Sequence, residues 1–215
     1  MVSYFFNNLP QSKNLKIMNL IERAKNMLTT PKTEWLVVET ETITPQSLLM
    51  SYVLPMAIIS SIGQILNGLV LAGIFGGYFI WAAIIGFVSI IISFYISIYV
   101  IDMLAPSFGS EKNLNRSAQL VAYSNTPNWI AGLLSFIPFI GFLIVIAGWI
   151  YSIYLFYIGL GPIKKTPEDK KIVYMIIAFI IMIAMVFIVS AILMAIFGGL
   201  VGYGTGYGGY RRFGM

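Results

Sequence analysis

One acidic residue, Asp102, lies within an apolar stretch of the chain. A charge at the centre of a bilayer costs at least about 2.5–3.5 kcal/mol and less near a helix end. A carboxylate at this position is therefore expected to have a functional or structural role. It could bind a cation, a proton or a lipid headgroup. Alternatively, it could only pair with Lys112 or Arg116 in the following connection. Both roles are open from the sequence.

A second polar cluster, residues 123–129, interrupts a later apolar stretch. Pro127 removes a backbone donor and frees a carbonyl one turn earlier, which the neighbouring polar side chains can satisfy. Broken helices line binding sites in transporters, but they also allow a short helix to enter the bilayer. We expect a shared polar niche that opens to the cytoplasm and is lined by Tyr99, Asp102, Tyr123 and Asn125.

The residue inventory argues against catalysis. The chain has no cysteine and no histidine, which excludes thiolate and imidazole chemistry. Asp102 has no second carboxylate in a predicted span with which to share a proton. Glu168 and Asp169 are adjacent but flanked by lysines in a loop. We therefore expect no enzyme, no metal site and no cofactor.

The elements that position these residues are predicted to be membrane helices. Of 215 residues, 59% are hydrophobic and 10% charged, against about 45–50% and about 25% in an ordinary soluble domain. Apolar runs long enough to span a bilayer predict an all-α, polytopic membrane protein with five transmembrane helices. The predicted spans are 48–75, 78–104, 118–137, 139–160 and 172–200.

Basic residues divide unevenly between the two sides of this five-span arrangement. Eleven of the 13 fall on one side and two on the other. Because lysine and arginine are enriched on the cytoplasmic side, the N-terminus is predicted to be inside and the C-terminus outside. The net charge of +5 therefore indicates topology, and we expect no nucleic-acid partner.

The ends of the chain differ from the spans. Residues 1–47 form a predicted cytoplasmic segment, and apolar residues at helical spacing between Ile17 and Leu28 predict an amphipathic helix that Pro31 ends. That helix could lie on the inner leaflet, pack on the protein's own cytoplasmic face or recognise a partner. Residues 202–215, rich in glycine and tyrosine, are predicted to be a flexible tail after the transmembrane domain at 48–201.

Small and polar residues recur on single faces of three predicted spans. Such faces let helices approach closely and exchange hydrogen bonds, although a polar cavity between helices is the alternative. The candidate packing residues are Ser60, Gln64, Gly68, Ala72, Gly86, Ser93, Gly148 and Ser152.

Several short motifs, in this order, resemble prokaryotic Yip-domain proteins. They are IERAKNML at 21–28 followed by PKTEW at 31–35, FG at 108–109, AYS at 122–124 with Pro127, and YSIY at 151–154 ahead of YIGL at 157–160. The resemblance implies a five-helix domain with a cytoplasmic N-terminus in a prokaryotic cell membrane. Eukaryotic relatives act in early secretory membranes with Rab-type GTPases. This chain's short N-terminal region lacks their Pro/Gly-rich extension, so a GTPase partner is not carried over.

The expected function is a non-enzymatic membrane scaffold. It would influence membrane organisation or trafficking through the lipid bilayer, further copies of itself or other membrane proteins. The alternative is a channel or transporter for a small solute or an ion, built from the helix bundle.

Single cysteines introduced into this cysteine-free chain test the topology. A membrane-impermeant thiol reagent should label Lys25→Cys, Ser110→Cys and Lys165→Cys from the cytoplasmic side and Thr205→Cys from the opposite side, because an odd number of spans separates them. Labelling of Thr205→Cys from the cytoplasmic side would eliminate the five-span arrangement.

Overall fold

The computed structural model describes residues 11–71 and 76–206, and every regular element among them is a helix. Within this part of the chain, four helical segments are long and apolar enough to cross a membrane: Pro45–Leu69, Ile84–Phe108, Ile140–Lys164 and Glu168–Leu193. They correspond to the first, second, fourth and fifth predicted spans. The all-helical class and the membrane-protein assignment are therefore confirmed, whereas the third predicted span is not one long helix.

The helices, numbered in chain order, are α1 Gln11–Thr29, α2 Pro31–Thr40, α3 Pro45–Leu48, α4 Leu54–Leu71, α5 Gly76–Leu104, α6 Leu114–Ser124, α7 Thr126–Leu134, α8 Ile140–Lys164 and α9 Lys171–Gly206. A π-helical turn, Leu49–Val53, joins α3 to α4. Short 3₁₀ turns, Ala105–Phe108 and Glu168–Lys170, follow α5 and precede α9.

The N-terminal helix ends as the sequence predicts. α1 stops at Thr29 and α2 begins with Pro31 at a position where its missing N–H is not needed. Ala24 and Met27 of α1 are buried against the rest of the chain, while Ile21 is exposed. The described part of α1 therefore docks on the protein through one face.

The third predicted span is divided into α6 and α7 at Asn125. Pro127, in the first turn of α7, cannot donate a backbone hydrogen bond. Asn125 Nδ2 donates to the Val121 carbonyl at 3.0 Å, and Thr126 Oγ1 donates to the Tyr123 carbonyl at 2.7 Å. The expectation that neighbouring polar side chains satisfy the freed carbonyls is confirmed.

Although broken, α6 and α7 together run antiparallel to α8 along its whole length. The Lys164 ammonium donates to the Asn113 carbonyl at one end of this pair, at 3.4 Å. In the middle, Gly148 lies where a Cβ would be 2.6 Å from the Ala131 methyl. At the other end Gly141 lies against the Ser135 backbone, beside a turn over 135–139.

α4 and α7 approach each other closely at two glycines. A Cβ on Gly63 would overlap the Gly132 carbonyl and the Leu133 backbone, and a Cβ on Gly132 would overlap the Ser60 hydroxyl. Neither glycine was among the predicted packing residues. Gly63 is required because only hydrogen leaves room for the facing backbone, whereas a methyl group on Gly132 would displace the Ser60 hydroxyl.

The predicted packing residues lie in several environments. Ser60, Gly68, Gly148 and Ser152 are buried, and Ser93 is partly buried. The Gln64 amide lies beside Gly86, with its oxygen 3.1 Å from the position of a Cβ there. Ala72 lies outside the described residues.

At the C-terminal end, α9 continues to Gly206, into the stretch predicted as a flexible tail. The remainder of that prediction, 207–215, lies outside the described residues.

Gly63→Ala should destabilise the bundle, because the added methyl group meets backbone that cannot rotate away. We expect a loss of about 1–3 kcal/mol or more, measured by thermal unfolding in detergent. Gly86→Ala is the matched control, since its methyl group meets only the end of the Gln64 side chain. Equal stability losses in the two variants would contradict the α4–α7 contact.

Candidate functional site

A buried ion pair joins the ends of α5 and α8. Lys164 Nζ lies 3.1 Å from Asp102 Oδ1, and the lysine side chain is fully buried. Ser117 of α6 donates from its hydroxyl to Asp102 Oδ1 at 3.0 Å, and Lys164 Nζ donates to the same hydroxyl at 2.8 Å. The three side chains form a closed triangle in which each charged group has a polar partner.

The loops around this triangle hold it in register. The Glu111 backbone N–H donates to the Lys164 carbonyl at 2.7 Å, and Ser110 Oγ donates to Thr166 Oγ1 at 2.9 Å. The connection before α6 is thereby fastened to the connection after α8. Nearby, the Tyr174 hydroxyl of α9 donates to the Ile101 carbonyl of α5 at 2.5 Å.

The predicted partner of Asp102 was wrong. The carboxylate pairs with Lys164, a residue that lies between the predicted spans 139–160 and 172–200. Lys112 is exposed. Arg116 is adjacent to Ser117 but lies about 100° around the helix from it, so it points toward α2. There its guanidinium donates to the Val38 carbonyl at 3.2 Å.

A second polar cluster holds α1 and α2 together. Arg23 Nη1 lies 2.5 Å from Glu34 Oε1, and Nη2 pairs with Glu41. The same guanidinium lies over the Tyr123 ring, 5.2 Å from its centroid. We call Arg23, Glu34 and Glu41 the N-terminal clamp; it connects α1, α2 and the start of the next loop to the face of α6.

Aromatic side chains fill the space beneath the clamp. Trp35 is buried between Tyr123, with ring centroids 6.4 Å apart, and Gly159 of α8. Tyr52 packs edge-on against Tyr123 at 4.9 Å and shares a hydrogen bond with the Thr126 hydroxyl at 2.7 Å. Because a Cβ on Gly159 would be 2.8 Å from the indole ring, that glycine forms the notch for Trp35.

The C-terminal end of α2 is capped by α6. Gln119 Nε2 donates to the Glu41 carbonyl at 3.1 Å and to the Val38 carbonyl at 3.4 Å, alongside Arg116. The last carbonyls of a helix lack hydrogen-bond donors within that helix. Here the side chains of α6 supply those donors. This arrangement fixes where α2 ends relative to the bundle.

The four residues of the predicted niche are distributed over separate environments. Tyr99 is 54% exposed and lines a shallow groove of about 390 Å³ between α5 and the start of α3 at 44–46. Asp102 is in the ion pair, and Tyr123 packs with Trp35 and Tyr52 in the aromatic layer beneath the clamp. Asn125 donates to the Val121 carbonyl of α6. Among the described contacts these four side chains share no partner.

Lys164, Arg23 and Trp35 make the central contacts, and none of them was among the predicted site residues. Lys164 follows an apolar run directly and precedes another lysine, so its spacing gave no sign that it is buried. Within the described residues, no group of three or more acidic side chains is placed to hold a metal ion. The arrangement can clamp helices and hold charges apart from lipid.

Lys164→Met should be strongly destabilising because it leaves the Asp102 carboxylate buried without its counterion. Removing one partner of a buried pair costs about 3–5 kcal/mol, to be measured by unfolding in detergent. Lys165→Met is the control, because its ion pair with Glu39 is exposed and should contribute about 1 kcal/mol or less.

The double variant Asp102→Leu/Lys164→Met should recover most of the stability, since no unpaired charge remains. A loss in the double variant as large as the summed losses of the two single variants would contradict a direct interaction between the two charges.

The chain matches one family of known proteins. No curated protein and no solved structure matches the chain. A family model, the Yip1 domain, matches residues 25–191, a region that includes the ion pair, the clamp residues Glu34 and Glu41, and the aromatic layer. Because the match covers well over half of the sequence, the chain belongs to the Yip1 domain family.

Proposed function

We propose that this protein is a non-enzymatic membrane scaffold that displays a fixed α1–α2 unit at the cytoplasmic face to lipid or protein partners, and so serves membrane organisation or trafficking. The observation that carries the proposal is the N-terminal clamp. Arg23 joins two carboxylates to the face of Tyr123, so α1 and α2 are held on the membrane bundle.

The outer face of α2 is the surface this arrangement offers. Trp35 and Val38 are buried toward the bundle, whereas Leu36 and Val37 are 58% and 48% exposed, with Lys32 beside them. Exposed aliphatic side chains beside a basic residue suit contact with a protein partner or a second copy of the chain.

The topology that supports this function has five spans. α6 and α7 lie antiparallel to α8 along its full length, with Gly141 beside Ser135 at one end and the Lys164 ammonium bonded to the Asn113 carbonyl at the other. A helix pair that matches a spanning helix end to end crosses the membrane with it. The charge distribution supports a cytoplasmic N-terminal segment 1–47, a transmembrane domain 48–201 and a far-side tail 202–215. The resemblance to prokaryotic Yip-domain proteins supports placement in a prokaryotic cell membrane.

The polar groups of the bundle are engaged in holding this shape. The Lys164 ammonium has three acceptors, and the Asp102 carboxylate accepts from Lys164 and Ser117. A lysine held in this way is not placed as a base beside a nucleophile. These contacts favour a structural role over a catalytic one.

A photo-crosslinker at Leu36 in native membranes tests the scaffold proposal, with Ile180 on α9 as an equally exposed control. Leu36 should give a discrete protein or self-crosslink that Ile180 does not give. Arg23→Ala should reduce that product several-fold, because it releases α2 from its fixed position.

Ion flux through reconstituted vesicles provides the opposing outcome. Flux that the purified protein supports, and that vesicles without the protein lack, would replace the scaffold by a channel or transporter. The absence of any α2-dependent crosslink would also contradict the proposal.

A further inference from the structure

The turn between α1 and α2 lies deep along α8. The Tyr151 hydroxyl donates to the Leu28 carbonyl at 2.8 Å, just before this turn. Further along, Trp35 fills the notch at Gly159, and Glu39 pairs with Lys165. α2 therefore runs in the same direction as α8, and it begins about 20 Å from the Lys164 end, since Tyr151 and Lys164 are 13 residues apart.

The side chains exposed at this turn are polar. They are Lys25, Thr29, Thr30, Lys32 and Thr33. The threonine hydroxyls already donate to the carbonyls of Lys25, Asn26 and Thr30, so the two lysines decide the environment. At about 20 Å from the Lys164 end they lie too deep for their side chains to carry the ammonium groups to that level, which makes hydrocarbon unfavourable here.

Aromatic residues of α8 mark the same height. Tyr154 is 39% exposed and its ring stacks on that of Tyr151, whereas Trp149 lies on another side of the helix. Tyrosine is enriched where hydrocarbon meets headgroups. The two lysines and Tyr154 are what a membrane surface near the middle of α8 would place on this face.

The face formed by α9 is different at this height. The rings of Phe156 and Phe179 pack at 5.0 Å, which aligns the antiparallel helices α8 and α9. One turn farther along each helix, Ile183 lies level with Ser152. The exposed residues of α9 from there to its cytoplasmic end are aliphatic: Ile172, Val173, Ile176, Ile180 and Ile183.

We propose that the cytoplasmic surface of the bilayer meets this bundle at two heights, about 20 Å apart along the helix axes. On the α9 face hydrocarbon extends to Lys171. On the α1–α2 face the headgroups reach the turn, where Lys25 and Lys32 bind anionic phospholipid headgroups. Such a step is accommodated by tilt of the bundle or by local thinning of the leaflet. The inference goes beyond the scaffold proposal and rests only on its orientation.

Spin labels at two matched heights test the step. Thr30→Cys and Ile183→Cys, each labelled and reconstituted in phosphatidylglycerol-containing vesicles, lie at the same level of the bundle. The label at Thr30 should be accessible to a water-soluble relaxation agent, and the label at Ile183 should be accessible to oxygen instead. Equal accessibility of the two labels, whether both are in lipid or both in water, would overturn the step.

Binding of phosphatidylglycerol to the detergent-solubilised protein tests the headgroup site. Lys25→Ala/Lys32→Ala should weaken binding by about an order of magnitude or more, since each basic residue near an anionic lipid contributes to its attraction. Lys112→Ala/Lys170→Ala removes the same charge from exposed loops and should change it little. Equal affinities in the two double variants would overturn the headgroup site.

These measurements separate the inference from the scaffold proposal. Ion flux in the vesicles would defeat the scaffold without altering the accessibility of either spin label. Conversely, an α2-dependent crosslink at Leu36 would support the scaffold but would not report the height of the bilayer surface. Only the spin labels measure that height.

Discussion

The fully buried Lys164 ammonium is the constraint on which the rest of the structure depends. A buried cation is tolerated only with a counterion and further hydrogen bonds in good geometry. Asp102 supplies the charge and Ser117 the hydrogen bond. Because these residues come from α8, α5 and α6, satisfying one ammonium group fixes the relative height of three helices.

The position of the N-terminal unit follows from that register. Once Ser117 faces the ion pair, helical geometry turns Arg116 and Gln119 toward the end of α2. Their donors meet the carbonyls of Val38 and Glu41. The same small helix thus serves the charge triangle on one side and the N-terminal clamp on the other.

The sequence predicted those features that depend on local composition. Four long apolar helices, the interruption at Pro127 and the end of α1 before Pro31 all follow from residue type and spacing along one segment. The resemblance to Yip-domain proteins was confirmed by the family match.

What could not be predicted depends on contacts between distant segments. A small-residue pattern marks the face of α4, but only the position of α7 shows that Gly63 meets a backbone carbonyl. Likewise, 62 residues separate Asp102 from Lys164, and Lys112 and Arg116 are both nearer in the sequence. Helical periodicity identifies which face of a helix is packed, but it does not identify the segment that packs against it.

The order of the two charges along the chain has a consequence for biosynthesis. Asp102 ends the second long helix, and its counterion is made only after the whole α6–α7 segment and α8 have followed. During co-translational insertion the carboxylate must therefore remain solvated at the end of α5, with Ser117 as its first internal partner. Arrival of Lys164 then removes both charges from water at once, so the last turn of α8 acts as the fastening that converts inserted helices into a packed bundle.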